Sequence, residues 1–212
     1  MEQKKVFISV GTPVTKEQED FVSAVENILR SEGLFPNTVG RNLFSSDAPL
    51  KTIIELMDSC CGVLVIALER TYFPEGVEKR GSSKETVLKE TKYPTPWNQI
   101  ESAMAYTKKL PLMVIVEEGL KSQGLLNNKY DWYVLSLKPV EESLYTQEFN
   151  QVLSSWKQKV ELYKKQKPEN KIDPATLTIG ELIKNLKISH FWSVLAALVA
   201  LIAGAFALGQ FF

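Results

Sequence analysis

Gly62-Val63-Leu64-Val65-Ile66-Ala67-Leu68 has no polar side chain and predicts a β-strand. A strand with one face in water would alternate apolar and polar residues, because successive side chains point to opposite faces. An unbroken apolar run of this length is typical of a parallel strand that helices cover on both sides. The stretch therefore favours the centre of an α/β sheet.

The segments on either side repeat an alternation of strand and helix. Strands are predicted at 5–10, 34–39, 110–116 and 131–137, and amphipathic helices at 15–32, 49–60, 96–109 and 146–165. Such alternation indicates right-handed crossovers and a parallel sheet. We predict a flavodoxin-like open sheet of five parallel strands in the order 2-1-3-4-5, with helices on both faces.

Residues 69–96 interrupt this pattern. They are polar and rich in charge, and they are too many for a plain connection between a strand and a helix. We predict a functional loop. Lys79 and Arg80 within it are interpreted as surface charges, with a phosphate partner as the alternative.

The stretch 191–212 contains 22 residues without a charge, of which eleven are Leu, Ile, Val or Phe. As a helix it would be about 33 Å long, enough to cross a bilayer core of roughly 30 Å. We predict three parts: an α/β domain (1–165), a linker and juxtamembrane helix (166–188) and a transmembrane helix (189–212). A buried core helix is the alternative for the last part.

Orientation and assembly follow from charge and residue size. Lysines precede the apolar stretch, and the first residues do not resemble an export signal, so the α/β domain is expected in the cytoplasm. Small residues recur at helical spacing from Ser193 to Ala207, which favours close helix packing in lipid. A homo-oligomer in the bilayer is the prediction, and a simple anchor is the alternative.

Composition excludes several classes of function. The chain has 25 basic and 25 acidic residues among 212, which leaves no excess positive charge for nucleic acid. The only cysteines, Cys60 and Cys61, are adjacent, and the single histidine is His190. Neither a Cys/His metal site nor a metal cofactor is expected.

Ligands of open α/β sheets bind outside the carboxyl ends of the strands. The predicted elements bring four segments to that edge, and we expect a nucleotide there, as substrate or ligand and with no other cofactor. The candidate binding residues are Ser9, Gly11, Thr12, Arg41, Glu69, Tyr72, Trp97 and Asn98. A tight turn is the alternative role for Gly11 and Thr12, and a solvated loop position is the alternative for Arg41.

Pro96-Trp97-Asn98-Gln99-Ile100-Glu101 opens the helix at this edge, and Pro96 suits a first helical position. Trp97 and Glu101 are four residues apart and share a side of the helix, while Ile100, Ala103 and Met104 are expected to face the core. An indole can pack against a ribose, and a carboxylate can accept sugar hydroxyls, stabilise charge at the anomeric carbon or attack it. Glu101 is therefore the candidate catalytic residue. The alternative is a glutamate that favours the helix dipole beside a core tryptophan.

This layout resembles TIR (Toll/interleukin-1 receptor) domains and is similar to nucleoside 2-deoxyribosyltransferases. The resemblance covers roughly 4–138 and is greatest at 6–9, 63–68 and 97–105. It implies cleavage of an N-glycosidic bond, of NAD or a related nucleotide, by the helix-borne Glu101 with Trp97 beside it. The stretch 69–96 is longer than in most TIR domains, and Pro96-Trp97-Asn98 replaces the Gly-Thr pair of the transferases, so the TIR-like interpretation is preferred. Fusion to a transmembrane segment resembles effectors of antiviral defence.

Three functions follow as hypotheses. The first is a membrane-anchored enzyme that cleaves the N-glycosidic bond at Glu101 and is completed by clustering. The second is a non-catalytic sensor, in which a bound nucleotide reorganises the membrane helices and permeabilises the bilayer. The third is an adaptor that makes only protein–protein contacts.

Overall fold

The structure, a computed structural model, describes residues 3–46, 48–121, 123–127 and 132–166, together with 192 and 196. The chain divides into two units, Met1–Lys167 and Pro168–Phe212, and the α/β fold belongs to the first. Apart from residues 166, 192 and 196, the predicted linker, juxtamembrane helix and transmembrane helix lie outside the described residues. Among the residues that are described, no helix is long and apolar enough to cross a membrane.

Within the described ranges, seven strands form two separate sheets. They are β1 (Lys4–Val10), β2 (Leu34–Asn37), β3 (Val63–Ala67), β4 (Thr71–Glu78), β5 (Thr86–Tyr93), β6 (Leu112–Glu117) and β7 (Val134–Leu137). The main sheet has five strands in the order β2-β1-β3-β6-β7, and every neighbouring pair is parallel. Counted within this sheet the order is 2-1-3-4-5, so the predicted flavodoxin-like topology is confirmed.

Four α-helices among the described residues cover the main sheet. They are α1 (Lys16–Ser31), α2 (Pro49–Ser59), α3 (Pro96–Thr107) and α4 (Gln147–Gln166). The apolar side chains of α1 and α4 pack with Ile8 and Ile66 on one face, and those of α2 and α3 pack with Phe7 and Val65 on the other. Strand β3 is fully buried, as the unbroken apolar run predicts.

The prediction of a loop at 69–96 was wrong. Strands β4 and β5 pair there as an antiparallel hairpin whose residues are mostly exposed. Charged residues are interspersed with Thr, Tyr and Val, so the segment lacks a continuous apolar run, yet β-branched and aromatic residues favour extended backbone. The turn includes Gly81 with φ of +76°, a backbone conformation that glycine adopts without steric cost.

Contacts at its base, and one with Glu78 at the turn end of β4, fix the hairpin at the carboxyl edge of the main sheet. The Lys92 ammonium pairs with Glu69 at 2.5 Å, directly after β3. The Lys121 backbone N–H donates to the Lys92 carbonyl at 2.9 Å, and the Lys121 ammonium pairs with Glu78 at 2.7 Å. The hairpin is thus an insertion between β3 and α3, and it flanks the edge at which the sequence predicts a ligand.

Candidate functional site

The candidate site lies where β1 ends and α3 begins. Ser9 is fully buried in β1, opposite Val65 of β3. Two residues later, a Cβ added to Gly11 would lie 3.1 Å from Cγ2 of Thr95, the residue before α3. The chain leaving β1 therefore passes tightly against the start of α3, and glycine allows this close approach.

Local sequence explains why α3 begins at this place. The Thr95 hydroxyl caps the helix by accepting from the Trp97 backbone N–H at 3.4 Å, and Pro96 occupies the first turn. Proline suits this position because the first helical N–H groups have no partner within the helix. The cap directs the first two turns of α3 over the end of β1.

The face of α3 that meets the sheet is polar, which corrects the sequence prediction. Ile100 is 43% exposed and Ala103 is also exposed, so they do not face the core, while Met104 is partly buried. The buried residues of α3 are Asn98, Glu101, Ser102 and Ala105. Their spacing of three and four residues defines one helix face. This face packs on Ser9, so the contact between α3 and the sheet is polar at this edge.

Asn98 connects α3 to β1 through two hydrogen bonds. Its side-chain Nδ2 donates to the Ser9 carbonyl oxygen at 3.1 Å and to the Ser9 hydroxyl at 3.0 Å. The Ser102 hydroxyl donates to the backbone carbonyl of Asn98 at 2.5 Å. Asn98 itself is fully buried, and its Oδ1 accepts from no protein group.

Glu101 is the buried carboxylate of the site. It is only 7% exposed, and burial raises its pKa from 4.5 to about 7 because a charged carboxylate is poorly solvated there. A hydrogen bond from the Ser9 hydroxyl acts in the opposite direction and lowers the pKa. Near neutral pH the group is therefore divided between acid and carboxylate, as suits a residue that attacks carbon or transfers a proton.

Trp97 lies one turn before Glu101 and is 43% exposed. Its indole is thus not a core side chain, contrary to the part of the sequence alternative that concerned the tryptophan. An exposed aromatic ring next to a buried carboxylate offers a surface on which a sugar or base can pack.

The hairpin base holds two further predicted residues. Glu69 follows β3, pairs with Lys92 and donates its backbone N–H to the Glu117 carboxylate at 2.8 Å. Tyr72 is opposite Lys92 in the hairpin and is 45% exposed. The backbone carbonyl of Thr12 accepts from the Arg70 guanidinium at 3.2 Å, which joins the loop after β1 to the same base.

Arg41 is directed towards α1. Its guanidinium contacts Glu19 at 2.6 and 2.9 Å, Ser23 at 3.1 Å and Glu26 at 3.0 Å. Glu26 is only 6% exposed, so Arg41 compensates a buried charge. The contact with Arg41 also lowers the pKa of Glu19. These bonds give Arg41 a structural role, and nucleotide binding by Arg41 stays a prediction.

Sequence reasoning missed residues that hold the site together over long chain distances. The buried Gln18 donates to the Glu69 carbonyl at 3.0 Å and accepts from the Val14 backbone N–H at 3.0 Å. Gln99 donates to the Gln123 carbonyl at 2.6 Å and accepts from the Leu125 N–H at 3.0 Å. A glutamine on an amphipathic helix has the pattern of a solvated residue, so no local signal distinguishes these two.

In the part of the chain that the structure describes, no three His, Cys, Asp or Glu side chains are close enough to bind a metal ion. The side chains described at this edge offer hydroxyl, amide, carboxylate and indole groups, together with the Lys92 ammonium and the Arg70 guanidinium.

No protein-family model matches the chain, and no curated protein matches it. Among solved structures, the chain is similar to the CMP N-glycosidase BcmB of Clostridium botulinum, at 15% sequence identity and a TM-score of 0.44. The similarity covers 70% of this chain and 99% of that one.

Proposed function

We propose that the α/β domain hydrolyses the N-glycosidic bond of a nucleotide or nucleoside, with Glu101 as its catalytic residue. The observation that supports this most is the environment of Glu101. The carboxylate is almost fully buried, has a pKa of about 7, accepts from Ser9 and follows an exposed tryptophan by one turn. Carboxylates with such shifted pKa values are concentrated at catalytic sites.

The chemistry needs a carboxylate near the anomeric carbon. As the bond between this carbon and the base nitrogen breaks, its electron pair leaves with the base, and positive charge develops on the sugar. The Glu101 carboxylate stabilises this charge or forms a covalent bond to the carbon, which water then cleaves. A poorly solvated environment strengthens the attraction between the two charges. Trp97 supplies the surface for the ribose.

Substrate must gain access to a carboxylate that is 7% exposed. Two segments lie next to the start of α3, the helix that carries Glu101: the turn at Gly11, packed on Thr95, and the base of the hairpin, where Lys92 pairs with Glu69. We propose that substrate binding separates these segments and also admits the water that completes hydrolysis.

The finer identity of the substrate and the cellular role are part of the proposal. NAD is the first candidate, because the TIR-like resemblance implies it, and the same resemblance suggests a role in antiviral defence. The uncharged stretch 191–212 motivates a membrane anchor that brings several copies together. Fractionation of cells that express the full chain, compared with a chain ending at Lys167, tests the anchor. Recovery of both chains in the soluble fraction would contradict it.

Glu101 is almost inaccessible to solvent, and this favours the non-catalytic sensor as the second candidate. A site that opens only for its ligand couples binding to a change in structure, which is what a sensor requires. Tight nucleotide binding without any product, together with dye leakage from vesicles, would identify it. Nucleotide binding without leakage would exclude the permeabilising form of the sensor.

A substrate panel tests the enzymatic proposal. The full chain is incubated with NAD, NADP, nucleoside 5′-monophosphates and deoxynucleosides, and free bases are separated by chromatography. We expect a free base and the remainder of the substrate in equal amounts from at least one substrate class: ADP-ribose or its phosphate from NAD or NADP, a sugar phosphate from a nucleoside monophosphate, or a free sugar from a deoxynucleoside. Absence of any free base over the whole panel would contradict the proposal.

A further inference from the structure

We propose that Asn98 is a positioning residue for Glu101: its amide orients the Ser9 hydroxyl so that the hydroxyl proton is donated to the Glu101 carboxylate. This inference rests on the proposed function of Glu101. It assigns Asn98 and Ser9, which the sequence suggests as nucleotide ligands, to the support of the catalytic group.

The orientation of the Asn98 amide follows from its partner. The Ser9 carbonyl oxygen carries no hydrogen and can only accept, so the Asn98 group that lies 3.1 Å from it must be the NH₂ group. The reverse orientation would place two carbonyl oxygens against each other. The same NH₂ group lies 3.0 Å from the Ser9 hydroxyl oxygen, and this oxygen must therefore accept.

The direction of the next bond follows from the count of protons. A serine hydroxyl has one proton, and its oxygen already accepts from Asn98. The proton is therefore free for another acceptor, and the neighbouring Glu101 carboxylate, whose pKa the Ser9 hydroxyl lowers, is the acceptor in this proposal. Asn98 and Glu101 are three residues apart on α3 and both are buried, so they lie over Ser9 on the same helix face.

A purely structural role does not explain an asparagine here. Asn98 is fully buried and leaves its Oδ1 without a protein partner, which lowers stability. An apolar residue of similar size would avoid this cost but would leave the Ser9 hydroxyl without its donor. The second hydroxyl on this face, Ser102, donates to the backbone carbonyl of Asn98, so it holds the residue and leaves the amide group unchanged.

The test measures the pKa of Glu101 in the full chain without substrate. Glutamate labelled with ¹³C at the carboxyl carbon is followed by NMR between pH 4 and 9, and the signal is assigned by its loss in Glu101→Gln. The variants are Ser9→Ala, Asn98→Leu and the double variant, with Ser102→Ala as a matched control. If Asn98→Leu does not fold, Asn98→Ala replaces it in both the single and the double variant.

We expect Ser9→Ala and Asn98→Leu each to raise the pKa of Glu101, because both remove the oriented donor from the carboxylate. In the Ser9→Ala background, Asn98→Leu should cause no further rise, since the amide acts only through the hydroxyl. Ser102→Ala should leave the pKa at the wild-type value. An unchanged pKa in Asn98→Leu, or effects that add in the double variant, would overturn the inference.

Activity gives an independent result. Once a substrate is known, Asn98→Leu should lower kcat and move the pH profile to higher pH, with KM unchanged. A raised KM with an unshifted profile would assign Asn98 to substrate binding and overturn the positioning role. The NMR result does not depend on turnover, so a chain that cleaves no glycosidic bond can still confirm the hydrogen-bond relay, and the two proposals fail separately.

Discussion

The Ser9 hydroxyl at the end of β1 lies near the carboxylate of Glu101 on α3 and lowers its pKa, and the fold brings these two residues together from distant parts of the chain. Ser9 is fully buried and Glu101 nearly so. A parallel sheet creates this proximity, because the carboxyl end of a central strand lies beside the start of the helix that packs on it. The predictions concern this pair and the contacts that hold its surroundings.

The first prediction concerns stability and pH. The pKa of Glu101 is higher in the folded chain than in the unfolded chain, so the folded state binds more protons between pH 4.5 and about 7. Stability from this group is complete below pH 4.5, falls as pH rises to about 7 and is constant above it. The total loss is roughly 3 kcal/mol, since one pKa unit corresponds to about 1.4 kcal/mol.

Glu101→Gln removes this titration. The difference in free energy of unfolding between the variant and wild type should shift in favour of the variant as pH rises from 4.5 to 7.5. Urea unfolding at several pH values measures it. A difference that does not change with pH would mean that Glu101 has an ordinary pKa in the folded protein.

The second prediction concerns the pH dependence of turnover. An ionised Glu101 is needed to attack or stabilise the anomeric carbon, so kcat should increase with pH and level off above about 7, the pKa of Glu101. Initial rates of base release between pH 5 and 9 measure it. Rates that decrease through this range would show that the protonated form acts, as a general acid.

The third prediction concerns Arg41. Replacement by Met removes the closer of two guanidinium partners of the buried Glu26 and leaves Arg30 at 3.3 Å, so it should lower the free energy of unfolding by about 2 kcal/mol. Adding Glu26→Gln removes the charge that has lost this partner and should restore part of the loss. Full stability of Arg41→Met would contradict the structural role. A normal KM in a stabilised double variant would show that the substrate does not need Arg41.

The fourth prediction concerns the base of the hairpin. The Lys92–Glu69 pair is partly exposed, so Lys92→Met should lower the global free energy of unfolding by less than about 1 kcal/mol. Because the pair connects the hairpin to the end of β3, hydrogen exchange of the β4 and β5 amides should become faster. Lys51→Met, which breaks an exposed pair on α2, is the matched control and should leave hairpin exchange unchanged. Equal exchange in both variants would show that the pair does not hold the hairpin.

The sheet was predictable because its signals are local. The apolar run at β3 and the helix spacing of α1, α2 and α4 each identify an element from neighbouring residues alone. The hairpin at 69–96 was not predictable in this way, because its strands are exposed on most positions and lack a clear alternation. Its stability depends on ion pairs such as Lys121 with Glu78, which join residues far apart in sequence.

The position of the candidate residues in the fold was predictable, and their packing was less so. Glu101 and Trp97 follow from a helix that starts at the carboxyl edge, and the structure brings Ser9 and Asn98 to the same place. The face of α3 that packs on the sheet was predicted wrongly, because an apolar residue such as Ile100 is normally assigned to the core. At this edge the sheet presents Ser9 instead of an apolar side chain, so the polar face of the helix turns inward.

The central claim is that Glu101 cleaves the glycosidic bond, and base release by Glu101→Gln tests it most directly. Gln has almost the same shape but cannot form the carboxylate, and Glu55→Gln, an exposed change on α2, is the control for loss of one charge. With a substrate found in the panel, the account predicts that Glu101→Gln loses more than about 1,000-fold in kcat, while Glu55→Gln retains wild-type turnover. Wild-type release of free base by Glu101→Gln would contradict the account.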